Sequence, residues 1–295
     1  MPGLDGLRAI AVLAVFLYHM GFVWAAGGFL GVETFFVLSG YLITSLLLKD
    51  YCTYGRLRLG NFWLRRARRL WPALWMMLLG TIFLARFWAP DAWPRLREDL
   101  VAALTYTTNM VYILREVPYF ERFGRPPLLQ HLWSLAVEEQ FYLVWPLMLW
   151  LLLRLLRVQP PHRGMVRLGA VIFLVAIFST VWMAWQYDPF GDPLRLYYGT
   201  DTRAAGFLLG GALAVFWPPG GRLRWDRWTD ILGWLGLAGL VVAYSTLDEF
   251  QRLLYQGGFL LTAMGYRFDD PRGRFAPDSF FARAWASPPA LDWHP

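Results

Sequence analysis

A polytopic, all-α membrane helix bundle is the fold class this sequence predicts. Three observations predict it. Of the 295 residues, 57% are hydrophobic. The apolar residues fall in long blocks, each near the ~20 residues needed to cross a hydrocarbon core. The arginines gather in short connections between those blocks. With 17 Trp and a mean hydropathy of +0.36, the chain is more apolar than a soluble globule of its size needs to be.

The spacing predicts spans over about 7–26, 29–48, 70–89, 131–153, 168–186, 204–217, 231–247 and 253–264. The first contains Arg8 and His19 and flows directly into the second, so it reads as a retained span and not a cleaved leader. The last is too short to cross alone. A ninth apolar stretch, 99–114, carries Thr105, Thr107, Thr108 and Asn109, and its nature decides the topology. If it is re-entrant, the basic connections 49–69, 154–167 and 218–230 share one side with the N-terminus, as the positive-inside bias favours. Non-helical backbone at membrane depth is tolerable where it lines a cavity. The predicted bundle therefore has about eight spans, one re-entrant segment and a cytoplasmic N-terminus. It occupies 1–264. Residues 265–295 are rich in proline and charge, and are expected to be a disordered polar tail.

The net charge of +7 does not point to nucleic acid, because the arginines sit where anionic lipid and topology require them. Cys52 is the single cysteine, which excludes an intramolecular disulfide and a cysteine metal cluster. His19, His131, His162 and His294 lack ligand-like spacing, so no metal is expected.

Several ionisable residues fall where packing alone does not need them. Arg8 and His19 are eleven residues apart, on one helical face and roughly 16 Å apart along the axis. An intramembrane ionisable group usually faces a polar cavity or a partner. If helix two turns back at Gly27-Gly28, Glu33 lies at the depth of His19, where a carboxylate fixes the tautomer of a general base. The competing reading is a buried link that pins two helices. Arg66 and Arg69 share one face within Arg65-Arg66-Ala67-Arg68-Arg69, and paired guanidinium groups suit phosphates. Topology alone also accounts for arginines there.

Glu138 and Glu139 near the start of an apolar span predict a hydrophilic cavity on the outer side, with Tyr142 on the same helix. They point about 100° apart, so at most one faces any single site. Ser134 reads as a helix cap or a reactant. Asp201 and Arg203, ahead of Ala204-Ala205-Gly206, read as an ion pair at the mouth of a span.

These elements, in order, resemble the acyltransferase-3 family of bacterial inner-membrane acyltransferases. The matching stretches are LDGLRAIAV at 4–12 with His19, GVETFFVLSGYLI at 31–43, RRARRLWP at 65–72 and LWSLAVEEQFY at 132–142. The resemblance covers roughly residues 4–215. It implies transfer of an acyl group, usually acetyl, from cytoplasmic acyl-CoA to a hydroxyl of an extracytoplasmic or lipid-linked glycan. Acyl-CoA would be a co-substrate, and no tightly bound cofactor is expected. By position, His19 is the essential histidine and Arg8 its companion, Arg66 and Arg69 serve the acyl donor, and Glu33, Glu138 and Glu139 match the acidic positions. His19 would act as a general base or take the acyl group itself. The family normally continues with two further membrane helices that 265–295 do not resemble, so a truncated or frame-shifted end is expected. A transporter or acyl-group conduit, and an inactive remnant, are the competing functions.

Overall fold

The computed structural model describes residues 2–119, 126–159, 164–219, 227–248, 251–252 and 254–258. The chain forms helices α1 (Pro2–His19), α2 (Gly31–Tyr54), α3 (Leu59–Trp88), α4 (Trp93–Leu104), α5 (Thr108–Leu114), α6 (Leu132–Leu155), α7 (Met165–Gln186), α8 (Leu194–Tyr198), α9 (Thr200–Phe216) and α10 (Arg227–Thr246). A 3₁₀ segment, Val23–Leu30, leads into α2. Among the described residues, four helical stretches are long and apolar enough to cross a membrane: Val23–Tyr54, Leu59–Trp88, Leu132–Leu155 and Met165–Gln186. The all-α membrane bundle expected from the sequence is the fold observed.

Its centre is the contact of α2 with α9. Lipid tails are as apolar as leucine, so membrane helices associate through close packing, which small residues permit. A Cβ on Gly40 would lie 1.9 Å from the carbonyl oxygen of Phe207, and one on Gly210 would lie 2.0 Å from that of Val37. The two backbones therefore touch without side chains between them. Phe207 stacks between Phe36 at 4.5 Å and Phe141 at 4.4 Å, and Phe141 stacks on Trp145. This aromatic column fastens α6 to the α2–α9 pair, each stack adding about 0.5–1.5 kcal/mol beyond area burial. Helix α7 closes on α9 where Gly169 meets the ring of Phe216. Helix α3 is the outlier. Trp75, Met76, Leu79, Phe83 and Phe87 are exposed along it, an apolar face suited to lipid.

Two sequence expectations need correction. The first hairpin does not turn at Gly27-Gly28. Helix α1 ends at His19, and the chain reverses at Met20–Phe22 around Gly21, whose φ of 78° suits glycine. Gly27 and Gly28 serve contact instead: a Cβ on Gly28 would lie 2.2 Å from the carbonyl oxygen of Ala14, and one on Gly27 2.2 Å from that of Ala243. The span placed at 70–89 begins at Leu59, so the arginine cluster lies inside the helix and not before it. Stretch 99–114 falls in two short helices, α4 and α5, broken at Thr105–Thr107 with Tyr106 at φ 54°. Neither piece is long enough to cross. Of the stretch 253–264, Leu254–Gly258 is described and forms a π-helical turn. The tail 265–295 lies outside the described residues.

Candidate functional site

His19 occupies the last position of α1 and is exposed, not sunk in mid-span. Its Nδ1 lies 2.8 Å from the carbonyl oxygen of Val15. A carbonyl only accepts, so Nδ1 carries the proton and Nε2 of the neutral ring holds a lone pair. That lone pair faces a hydroxyl: Tyr119 Oη is 3.4 Å from Nε2. The surroundings are aromatic. Tyr119 lies 4.5 Å from Tyr197 and 5.8 Å from Trp133 between ring centroids, and Tyr18 packs edge-on to the imidazole. His19 thus sits at the edge of an aromatic cluster built by α1, α6, α8 and the segment after α5. Tyr119 was missed in the sequence because an isolated tyrosine in a loop carries no spacing signal. Arg8, half-buried further down α1, pairs with Asp5 at 3.6 Å.

Glu33 does not bind His19. It accepts from Nη1 of Arg203 at 3.3 Å, and both side chains are almost wholly buried. Arg203 also donates Nε to the carbonyl of Tyr197 at 2.9 Å and lies over that ring, 4.3 Å from its centroid. The carboxylate is seated by absence of bulk, since a Cβ on Gly206 would lie 2.2 Å from Glu33 Oε1. The cause is the shifted hairpin turn: with the reversal at Gly21, Glu33 in the first turn of α2 faces α9. The expected Asp201–Arg203 pair is replaced in the same way. Asp201 instead takes a forked pair of hydrogen bonds from Arg195, both 2.9 Å, and one from Trp182 Nε1 at 2.9 Å.

The acidic pair on α6 splits as its 100° offset requires. Glu138 Oε1 accepts from the hydroxyls of Ser39 on α2 and Tyr142 one turn along α6. Glu139 Oε1 is buried without a partner among the described residues. The guanidinium of Arg66 lies 4.1 Å from the centroid of the Tyr142 ring, whereas Arg69 is exposed. The structure thus brings Arg66, Glu138 and Tyr142 together. Ser134 donates to the carbonyl of His131 at 3.2 Å, which is a local helix-start contact and not a cap of the first turn's N–H groups.

A further polar cluster escaped the sequence reading. Gln140 donates to the carbonyl of Tyr106 at 2.8 Å and to Asn109 Oδ1 at 2.9 Å, and accepts from Thr200 at 2.6 Å. Asn109 donates in turn to the carbonyl of Tyr198 at 3.0 Å. The break between α4 and α5 frees the Tyr106 carbonyl, which Gln140 satisfies, while Asn109 ties the start of α5 to the end of α8. Asn109 stands out in the sequence as a polar residue of stretch 99–114, but an uncharged amide inside an apolar helix, as Gln140 is, carries little pattern. Among the described residues no group of three or more His, Cys, Asp or Glu is placed to hold a metal ion.

Comparison with known proteins gives these features a setting. The chain is 43% identical over 271 residues to the Bacillus subtilis protein named "Putative peptidoglycan O-acetyltransferase YrhL", with 90% of this chain and 42% of that protein covered. It is 42% identical over 269 residues to the peptidoglycan O-acetyltransferase OatA of Listeria monocytogenes, again with 90% of this chain and 42% of the relative covered. The chain thus spans about four-tenths of the length of these relatives. No solved structure matches it. The model of the acyltransferase domain of the acyltransferase-3 family matches residues 1–283. With that match over nearly its whole length, the chain belongs to the acyltransferase-3 family.

Proposed function

We propose that this chain is the membrane domain of an O-acetyltransferase that moves an acetyl group from cytoplasmic acyl-CoA to a hydroxyl of an extracytoplasmic glycan. The carrying observation is the state of His19: Nδ1 is committed to the Val15 carbonyl, and Nε2 faces a hydroxyl at the edge of the aromatic cluster. An acceptor hydroxyl in the place of the Tyr119 hydroxyl meets a base already in the correct tautomer. Nε2 takes its proton, the oxygen attacks the thioester carbonyl, and the carbon–sulfur bond breaks to release the thiolate, which recovers the proton. The names of the relatives point to peptidoglycan as the acceptor class. The N-terminus is cytoplasmic in this reading, and the arginines of α3 meet the donor's phosphates.

The test is acetyl transfer by the protein in membranes supplied with labelled acetyl-CoA and a peptidoglycan-type glycan. His19→Ala should abolish transfer while the protein still inserts. Full transfer by that variant would overturn the reading.

A further inference from the structure

Three distant stretches of chain meet at one side chain. Arg66 of α3 lies over the Tyr142 ring of α6 at 4.1 Å. The hydroxyl of that ring donates to Glu138, and Ser39 of α2 donates to the same carboxylate oxygen. Tyr142 is 3% exposed, so its ring is locked in plane. Trp63, nearly one turn before Arg66, donates Nε1 to the Tyr142 carbonyl at 3.0 Å and fixes α3 against α6 at this level.

The arginine itself is half-buried, and its Nε is buried with no hydrogen-bond acceptor among the described residues. A half-buried guanidinium with a donor unmatched among the described residues suits an anion with several oxygens, and phosphate is the geometric fit. The ring beneath sets the direction in which the fork points, because a cation over an aromatic face is held flat against it. Glu138, already accepting two hydroxyls, is poorly placed to serve as the acceptor's base.

We propose that Ser39, Glu138 and Tyr142 form a clamp that positions Arg66 for the phosphates of the acyl donor. Glu138 of α6 then serves the donor and does not line, as its sequence suggests, a hydrophilic cavity on the outer side. This deepens the donor assignment proposed above and rests on it. The three are positioning residues: none touches the reacting carbonyl, and they act through the guanidinium.

The test is steady-state transfer by the full chain in membranes, with acetyl-CoA and glycan varied separately. Tyr142→Leu removes the ring and should raise KM for acetyl-CoA about tenfold or more, with KM for the glycan unchanged. Tyr142→Phe and Ser39→Ala remove only hydroxyls, and each should raise the donor KM about threefold. A rise in glycan KM, or a fall in kcat with donor KM unchanged, would overturn the clamp. Should Tyr142→Leu fail to accumulate, the two hydroxyl deletions decide, and an unchanged donor KM in both refutes it. Absence of any acetyl-CoA-dependent transfer by the unsubstituted protein is a different result, which removes the donor assignment and the clamp together.

Discussion

Arg203 of α9 closes on Glu33 of α2 at 3.3 Å, across 170 residues of chain, with each side chain nearly sealed from solvent. Removing one member of such a pair strands the other charge, at a cost of about 3–5 kcal/mol. Arg203→Met should therefore lower the thermal midpoint of the solubilised protein sharply. The double variant Glu33→Leu with Arg203→Met should recover most of that loss, because it removes both charges. Thermal unfolding of the four proteins checks the cycle, and additive losses would show that the pair is not coupled.

Gly206 makes the seat for that carboxylate. In Gly206→Ala, a methyl group 2.2 Å from Glu33 Oε1 must push the carboxylate away from Arg203. The variant should lose about as much stability as breaking the pair, ~3 kcal/mol. Gly80→Ala on α3 meets nothing within 4 Å and should gain slightly through helix propensity. Membrane accumulation and unfolding of both variants distinguish the seat from a general intolerance of alanine.

The pair His19 and Tyr119 separates chemistry from packing. Tyr119→Phe keeps the ring contacts with Tyr197 and Trp133 and deletes only the hydroxyl near Nε2. Stability should change by less than about 1 kcal/mol. If the acceptor hydroxyl takes the place of the Tyr119 hydroxyl, transfer falls by no more than about threefold. A loss as deep as that of His19→Ala would instead give the Tyr119 oxygen a direct part in the reaction. Transfer assays on both variants answer this.

Gln140 holds the broken segment to the bundle. Gln140→Leu keeps the volume but leaves the Tyr106 carbonyl, Asn109 and Thr200 without this partner. About 2–3 kcal/mol of stability should go, from buried polar groups left unsatisfied. Protease sensitivity should rise first near residues 105–107. Cleavage confined to other connections would contradict this placement of the weak point.

The sequence made the bundle legible because length, hydropathy and arginine placement all report on the membrane itself. It was equally informative that Glu33 and Arg203 are each too costly to bury alone. What it could not supply was pairing. A turn at Gly27-Gly28 would bring Glu33 to His19, but those glycines are spent on contact with Ala243 and Ala14, and Gly21 makes the reversal. A shift of a few residues in a helix end rotates each side chain by 100° per residue, enough to exchange one partner for another. Arg66 and Tyr142 were likewise assigned to opposite ends of the membrane because the helix carrying Arg66 starts at Leu59, a dozen residues before its apolar run.

The bare-backbone seam of α2 and α9 has a mechanical corollary. With Gly40 and Gly210 pressed against opposing carbonyls, no rotamer exists that lets the two helices slide, so they travel as a single strut. Helix α3, most of whose apolar flank faces outward, has no such weld. Its hold on α6 at the level of Trp63 and Arg66 is made by side chains on Tyr142, so substitutions there loosen α3 without touching the seam.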